Sequence, residues 1–264
     1  MQTDPFSLFS ELMQARDKGL PVVMVTVIDV QGSAPQKSGA RMLVYAGNRT
    51  SGTIGGGAIE QMAIREATSL LQHTGPELRE YNLDQDAGML CGGRMRLFFE
   101  PINPPLPLYI FGGGHIGSAL CRVLEGAGFA ITIVDNRPEY AAPDRFPATV
   151  STLSMPYDQA LKSISFNDRT SAIIVTHGHA HDREIADTII RQSFLYLGMI
   201  GSKSKVAQTR KALLENGVTK EQLSRLHSPI GLAIGGNSPA EIAISIAAEL
   251  VAVKNHADII KGPA

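Results

Sequence analysis

The chain is poor in cysteine, nearly free of net charge and without an apolar run of membrane-spanning length. Two cysteines in 264 residues, Cys91 and Cys121, cannot build a disulfide framework, so a reducing cytoplasm is the expected setting. A net charge of −1 gives no electrostatic basis for binding nucleic acid or an anionic membrane. The segment from Met1 to Gly19 lacks the apolar core of a signal peptide and reads as an amphipathic helix with Phe6, Phe9, Leu12 and Met13 on one face. The remainder, 44% hydrophobic and 19% charged, is the composition of an ordinary globule long enough for two domains. Glycine is what the chain has in quantity: 26 positions, most of them clustered beside polar residues where backbone turns tightly or approaches a ligand.

The richest of these clusters lies in Leu108–Gly117, LYIFGGGHIG. Four apolar residues run into a glycine turn, and a helical pattern follows through Ile116, Ala119, Leu120, Val123, Leu124 and Ala127. Gly112, Gly114 and Gly117 fill G-x-G-x-x-G: the first permits the turn, the second the approach of a pyrophosphate, the third close packing of helix on strand. A second apolar strand, Ile131–Asp135, ends in an acid 23 residues after Gly112, where a ribose hydroxyl would sit. Strand, helix, strand and acid together predict a Rossmann-type half-domain.

Glu100–Pro107 holds four prolines in seven residues, which reads as a stiff linker that continues neither helix nor central strand. Beyond it, strands near 108–111, 131–135, 149–153, 172–176, 195–200 and 223–226 alternate with helices near 115–127, 157–164, 182–192, 203–216 and 239–256. Alternation of this kind means a parallel sheet covered by helices on both faces. Before it, a strand at Val22–Ile28, a hairpin of Met42–Tyr45 with Arg49–Ile54, a helix over 58–71 and strands near 78–83 and 94–99 suggest a smaller mixed α+β domain. The fold class is therefore α/β, with a Rossmann-like parallel sheet over 104–264 preceded by an α+β domain over 1–103.

Several turns carry candidate chemistry. Gly201, Ser202 and Lys203 follow an apolar strand at the start of a helix. In Gly235–Glu241, Ser238 is a natural N-cap, with Pro239 at the first helical position and Glu241 completing a capping box. Free N–H groups and the helix dipole make such N-termini anion sites, with Asn237 and Ser238 as candidate contacts; the plainer reading is well-capped helices. His177, His179 and His181 with Asp182 form a candidate zinc or iron set that resembles the H-x-H-x-D-H of metallo-β-lactamase-like hydrolases with its last two residues transposed; substrate contact or loop structure is the alternative. Cys91, flanked by Gly92 and Gly93, is a candidate sulfur ligand or sulfur carrier, whereas Cys121 reads as a small core residue. In the first half, Gly55, Gly56 and Gly57 precede a helix. Arg41 could pair with an anion there, and Glu60 is either an acid–base group or a dipole-favoured surface acid.

Taken in order, GSAP with GARM, GTIGGGAIE, the Cys91-Gly92-Gly93 turn, FGGGHIG, VDNRPEY, THGHAHD, YLGMIGSKSK and HSPIGLAIGGNSPAEIAISIAAE resemble the XdhC/CoxI family over nearly the whole chain. The resemblance implies a chaperone without turnover of its own that binds molybdenum cofactor, as molybdopterin or its cytosine dinucleotide form. It further implies work with a cysteine desulfurase to sulfurate the cofactor, transfer to an apo molybdenum hydroxylase of the xanthine dehydrogenase type, and a homodimer. Gly113 stands where relatives carry alanine, a difference expected to leave the turn unchanged. An NAD-dependent oxidoreductase, supported by the fingerprint and Asp135, and a metal-dependent hydrolase built on the histidines are the competing classes.

Overall fold

A computed structural model of the chain describes residues 5–72, 75–83 and 93–257, in two compact units, Met1–Pro104 and Pro105–Ala264.

The first unit is built on an antiparallel sheet. Helix α1 (Pro5–Asp17) precedes strands β1 (Val22–Gln31), β2 (Arg41–Tyr45) and β3 (Thr50–Gly52); helix α2 (Gly57–Ser69) and strands β4 (Glu77–Asn82) and β5 (Arg94–Ile102) follow. The sheet order is β3-β2-β1-β5-β4. Alternation along β1 assigns the two faces. Val23, Val25 and Val27 pack with Ile59, Ala63 and Ala67 of α2, whereas Val22 packs with Leu8 and Ala15 of α1. The buried stripe of α1 is thus Leu8 and Ala15 with Leu12 beside them, and the face expected from the larger side chains is largely outside: Phe6 is 83% exposed, Phe9 46% and Met13 48%. Both sets recur at helical spacing, and periodicity alone cannot choose between them.

The second unit is a doubly wound parallel sheet, as the α/β reading requires. Its elements are β6 (Leu106–Phe111), α3 (His115–Val123), β7 (Phe129–Asp135), β8 (Ser151–Ser154), α4 (Tyr157–Ser163), β9 (Ser171–Ile174), α5 (His179–Ile189), β10 (Tyr196–Met199), α6 (Lys203–Glu215), α7 (Lys220–Ser224), β11 (Leu226–His227) and α8 (Pro239–Lys254). The order β11-β10-β9-β6-β7-β8 reverses direction between β6 and β9, so a switch-point crevice opens at the carboxyl ends of these two strands. Leu108 and Ile110 face Leu120, Leu124, Ile246 and Leu250 of α3 and α8, while Phe111 faces the cluster of α4, α5 and α6. Every residue of β9 and β10 is buried, the signature of a strand covered on both faces.

Two expectations are corrected. The proline run does not exclude strand: β5 continues through Pro101 and β6 includes Pro107. Both sit where the strand has a neighbour on one side only. Pairing of β5 with β4 reaches Phe99 and no further, and pairing of β6 with β9 begins at Leu108, so neither proline leaves a gap in a ladder. The strand expected over 223–226 is instead helix α7 followed by a two-residue strand, because Thr219 and Gln222 form a capping box that starts a helix there.

A buried carboxylate ties α8 to the sheet. Glu249 is fully buried; it accepts from Tyr196 Oη (2.8 Å) and the Gly231 N–H (2.6 Å), with His227 Nδ1 at 2.7 Å. Burial alone would raise this carboxyl, but the bonds from His227, Gly231 and Tyr196 outweigh it and hold it at about 2. A carboxyl lowered in the fold binds its proton less tightly than in the unfolded chain, ordinarily 4.5, so its contribution is present above that value and is lost as pH falls toward 2. Glu249→Gln is expected to cost roughly 1–3 kcal/mol at neutral pH, and chemical unfolding should show a smaller acid-induced loss between these two pH values than the parent. Identical acid profiles would contradict this role.

Candidate functional site

The glycine turn after β6 is shaped by its own backbone. Gly112 has φ +117°, and a Cβ there would lie 2.4 Å from the Val175 carbonyl oxygen. A Cβ at Gly117 would lie 2.0 Å from the Gly112 oxygen, which makes the third glycine a packing requirement between α3 and the turn. Gly113 is equally confined, since its Cβ would meet the Tyr140 carbonyl oxygen at 2.0 Å. An alanine at 113 therefore requires the Tyr140 backbone to withdraw, contrary to the expectation of an unchanged turn. Gly114 differs from all three. A Cβ there would meet nothing within 4 Å, so this is where a ligand can come close to backbone.

Asp135 is fully buried beneath the turn. Its Oδ2 accepts from the Gly113 N–H and Arg137 Nη2, both at 2.9 Å, and its Oδ1 from Arg137 N at 3.0 Å and Arg137 Nε at 2.9 Å. Burial would raise this carboxyl, but the Arg137 guanidinium and the two backbone donors hold it below the ordinary range. The expected ribose acid is thus occupied by the chain itself, and ribose could reach it only by displacing Arg137. The arginine two residues along, in VDNRPEY, was the available signal for this. Beside it, Tyr157 packs edge-on against Phe111 and His181, and both Tyr157 Oη and Asn136 Oδ1 are buried without a hydrogen-bond partner among the described residues.

The histidine segment opens α5, which starts at His179 rather than at Asp182. Asp182 is fully buried in the first turn, accepting from Thr176 Oγ1 (2.6 Å) and Lys205 Nζ (2.5 Å). His177 and His181 have ring centroids 5.8 Å apart, and the His179 side chain lies outside the described residues. Among the described residues no three histidine, cysteine, aspartate or glutamate side chains converge as a metal centre would need.

At α6, Ser202 is the N-cap and its Oγ accepts from Lys205 N at 3.3 Å; Gly201 precedes it, and Lys203 is exposed. At α8 the expected capping box is present, with Pro239 in the first turn. Glu241 Oε2 accepts from Asn237 N (3.2 Å), Ser238 N (3.0 Å) and Ser238 Oγ (2.6 Å). The amides expected to contact an anion there are already bonded to a carboxylate.

The same holds in the first unit. Gly55, Gly56 and Gly57 all have positive φ, and Glu60 Oε2 accepts from Thr53 Oγ1 and from the N–H groups of Ile54 and Gly56, each at 3.0 Å. A Cβ at Gly55 would lie 2.7 Å from Pro35 Cγ, and one at Gly93 would lie 2.1 Å from the Ser33 oxygen. The loop over 31–35 is therefore wedged between the glycine turn and the entry to β5. Arg41 lies at the start of β2 with its guanidinium 5.9 Å from the centre of the Phe9 ring. Cys91 and Gly92 lie outside the described residues. Cys121 is fully buried, and burial pushes its thiol up to about 12, in keeping with a core residue. Among the described residues no helix is long and apolar enough to cross a membrane.

A parallel sheet of this order, with the glycine turn at its switch point, defines a Rossmann-type domain. The chain matches the XdhC Rossmann domain over residues 108–250 and the XdhC and CoxI family over residues 15–82, and it belongs to that family. It is similar to the uncharacterized protein YqeB of Escherichia coli (strain K12), 33% identical over 95% of this chain and 47% of the relative, so it spans about half that protein's length. It is also similar to the molybdenum cofactor insertion chaperone PaoD of the same organism, 20% identical over 92% of this chain and 87% of the relative. The crystal structure of a xanthine dehydrogenase from Bacillus halodurans shares the fold, with a TM-score of 0.53 and 22% identity over 96% of this chain and 97% of that one.

The two kinds of glycine separate experimentally. Gly117→Ala should destabilise the chain by roughly 1–3 kcal/mol, whereas Gly114→Ala should stay within about 0.5 kcal/mol of the parent. Urea unfolding of the two variants measures the difference, and equal losses would show that Gly114 is confined as well.

Proposed function

We propose that this chain is a cytoplasmic, homodimeric maturation chaperone for a molybdenum hydroxylase of the xanthine dehydrogenase type. It binds molybdenum cofactor, as molybdopterin or its cytosine dinucleotide form, supports sulfuration of the cofactor with a cysteine desulfurase, and passes it to the apo-hydroxylase. The observation that carries this reading is the match of both halves to one family, together with similarity along 92% of the chain to a protein named as a molybdenum cofactor insertion chaperone.

The residues fit the anionic end of such a cofactor at one place in particular. Gly114 leaves open space at the start of α3, α3 has no acid in its first turn, and the charge of Asp135 is balanced by Arg137. Gly112 and Gly117 shape that turn, and Gly201, Ser202 and Lys203 offer a second set of donors at α6. Asn237 and Ser238 would join only if Glu241 released them. In the first unit, Arg41, Gly55, Gly57 and Gly93, with Gly92, are the candidate contacts; Gly56, like Asn237 and Ser238, would join only if the carboxylate holding it, here Glu60, released it. Cys91 is the candidate sulfur carrier or molybdenum contact. The bound cofactor supplies the metal chemistry of the client enzyme; the task of this chain is to hold and orient it.

NAD-dependent oxidoreduction is the second reading, favoured by the fingerprint and disfavoured by the occupation of both Asp135 oxygens. Purification with and without molybdopterin supply, followed by assay of bound pterin, molybdenum, zinc and NAD, separates the two. Pterin and molybdenum should co-purify only with the supply. NAD with hydride transfer, and no pterin, would overturn the chaperone reading. Cys91→Ala should keep the fold and lower activation of apo-hydroxylase on the order of tenfold; activation at the parent rate would remove Cys91 from the account.

A further inference from the structure

A polar cavity opens beside the start of α6. It has a volume of about 290 Å³ and is lined by Arg183 of α5 with Ser202, Ser204, Lys205, Gln208 and Thr209 at and along α6. Helical spacing explains the lining. Ser202, Lys205 and Thr209 recur at three and four residues, as do Ser204 and Gln208, so two neighbouring stripes of α6 face the space. Every lining side chain is a hydrogen-bond donor, and none is acidic or apolar.

Thr209 is the residue that the fold itself does not explain. It is 6% exposed, yet its hydroxyl has no hydrogen-bond partner among the described residues, including the carbonyl one turn back that helical threonines commonly use. Its side chain is more than nine-tenths buried and lines the cavity, which its hydroxyl can reach. The charges point the same way. Lys205 is held by the buried Asp182 and is neutralised there, but Arg183 forms no ion pair among the described residues. The 13-residue α6 has no acid in its first turn, and the first amides of a helix have no partner within it. The buried acid Asp182 meets the lining at Lys205, which cancels its charge.

We propose that this cavity binds a phosphate dianion, with Arg183 as its charged clamp and Ser202, Ser204 and Thr209 as hydroxyl donors. The cavity is larger than a bare ion needs and close to the lower limit of about 300 Å³ for small-molecule pockets, so it admits a phosphate monoester as well as inorganic phosphate. This site is distinct from the Gly114 approach but shares Ser202 with the donor set proposed at α6 for the cofactor, so phosphate binding is tested on the chain without cofactor.

The test is calorimetric titration of the full chain with inorganic phosphate and, separately, with ribose 5-phosphate at fixed ionic strength. Saturable binding is expected, weakened at least tenfold by Arg183→Gln and several-fold by Thr209→Val. Tighter binding of the ester identifies a phosphorylated small molecule as the occupant, and equal binding identifies the free ion. If Thr209→Val also lowers the unfolding temperature, Thr209→Ser, which restores the hydroxyl, should recover the affinity. No saturable binding of either probe overturns the proposal. So does binding that survives both Arg183→Gln and Thr209→Val within twofold, or that is lost only on Gly114→Val, which would place the phosphate at α3.

Discussion

Backbone N–H groups at the glycine turns are a limited resource, and an anionic ligand must compete for them with carboxylates of the chain itself. A carboxylate that accepts from a turn amide fixes the turn and also places negative charge where the helix dipole would otherwise attract an anion. Glu60 does this before α2 and Glu241 before α8, in both cases with no cation paired to the carboxylate among the described residues. Asp135 does it before α3, but Arg137 cancels its charge. Asp182, in the first turn of α5, is cancelled by Lys205 from α6. Helix α6 has no acid in its first turn. The helix N-termini are therefore unequal: those of α3 and α6 are suited to an anion, and those of α2 and α8 have been closed from within.

The same economy of buried charge holds the sheet together. Asp135, Asp182 and Glu249 are fully buried, and each is matched by donors from an adjacent segment of chain. Removing one partner of such a pair leaves a buried charge uncompensated, which is why these contacts fix geometry more than they add stability. Through them the turn after β6 is set by Arg137, the start of α5 by Lys205, and the segment around Gly231 by Glu249. What stays open at the switch point stays open because its neighbours are tied down.

Much of this was legible in the sequence where a local rule was strong. Apolar strands flanking a glycine fingerprint gave the parallel sheet, and the Ser-Pro-x-Glu pattern gave the start of α8 at the residue where it occurs. Rules that depend on neighbours failed. Pro101 and Pro107 look like strand breakers until the sheet shows an empty side next to each. The stripe of α1 could be assigned to Phe6 and Phe9 or to Leu8 and Ala15, and the sheet surface beneath the helix decides. Of the candidate site residues, Gly114 lies where the fingerprint puts it, facing open space. Asp135 lies at the expected place with its oxygens already engaged. The partners that matter, Arg137, Lys205 and Thr209, are two to 26 positions from Asp135, Asp182 and Arg183, which they complement or extend, and only for Arg137 is that spacing short enough for sequence to signal it.

The central claim is that the chain's own carboxylates choose which helix N-termini receive a ligand. Amide spectra of the full chain labelled with ¹⁵N-glycine and ¹⁵N-asparagine, recorded as molybdopterin is added, test it most directly. Shifts at Gly114 and Gly201, with Gly56 and Asn237 unmoved, are the predicted result. Shifts at Gly56 and Asn237 while Gly114 stays fixed would show that the ligand displaces Glu60 and Glu241, and would contradict the claim.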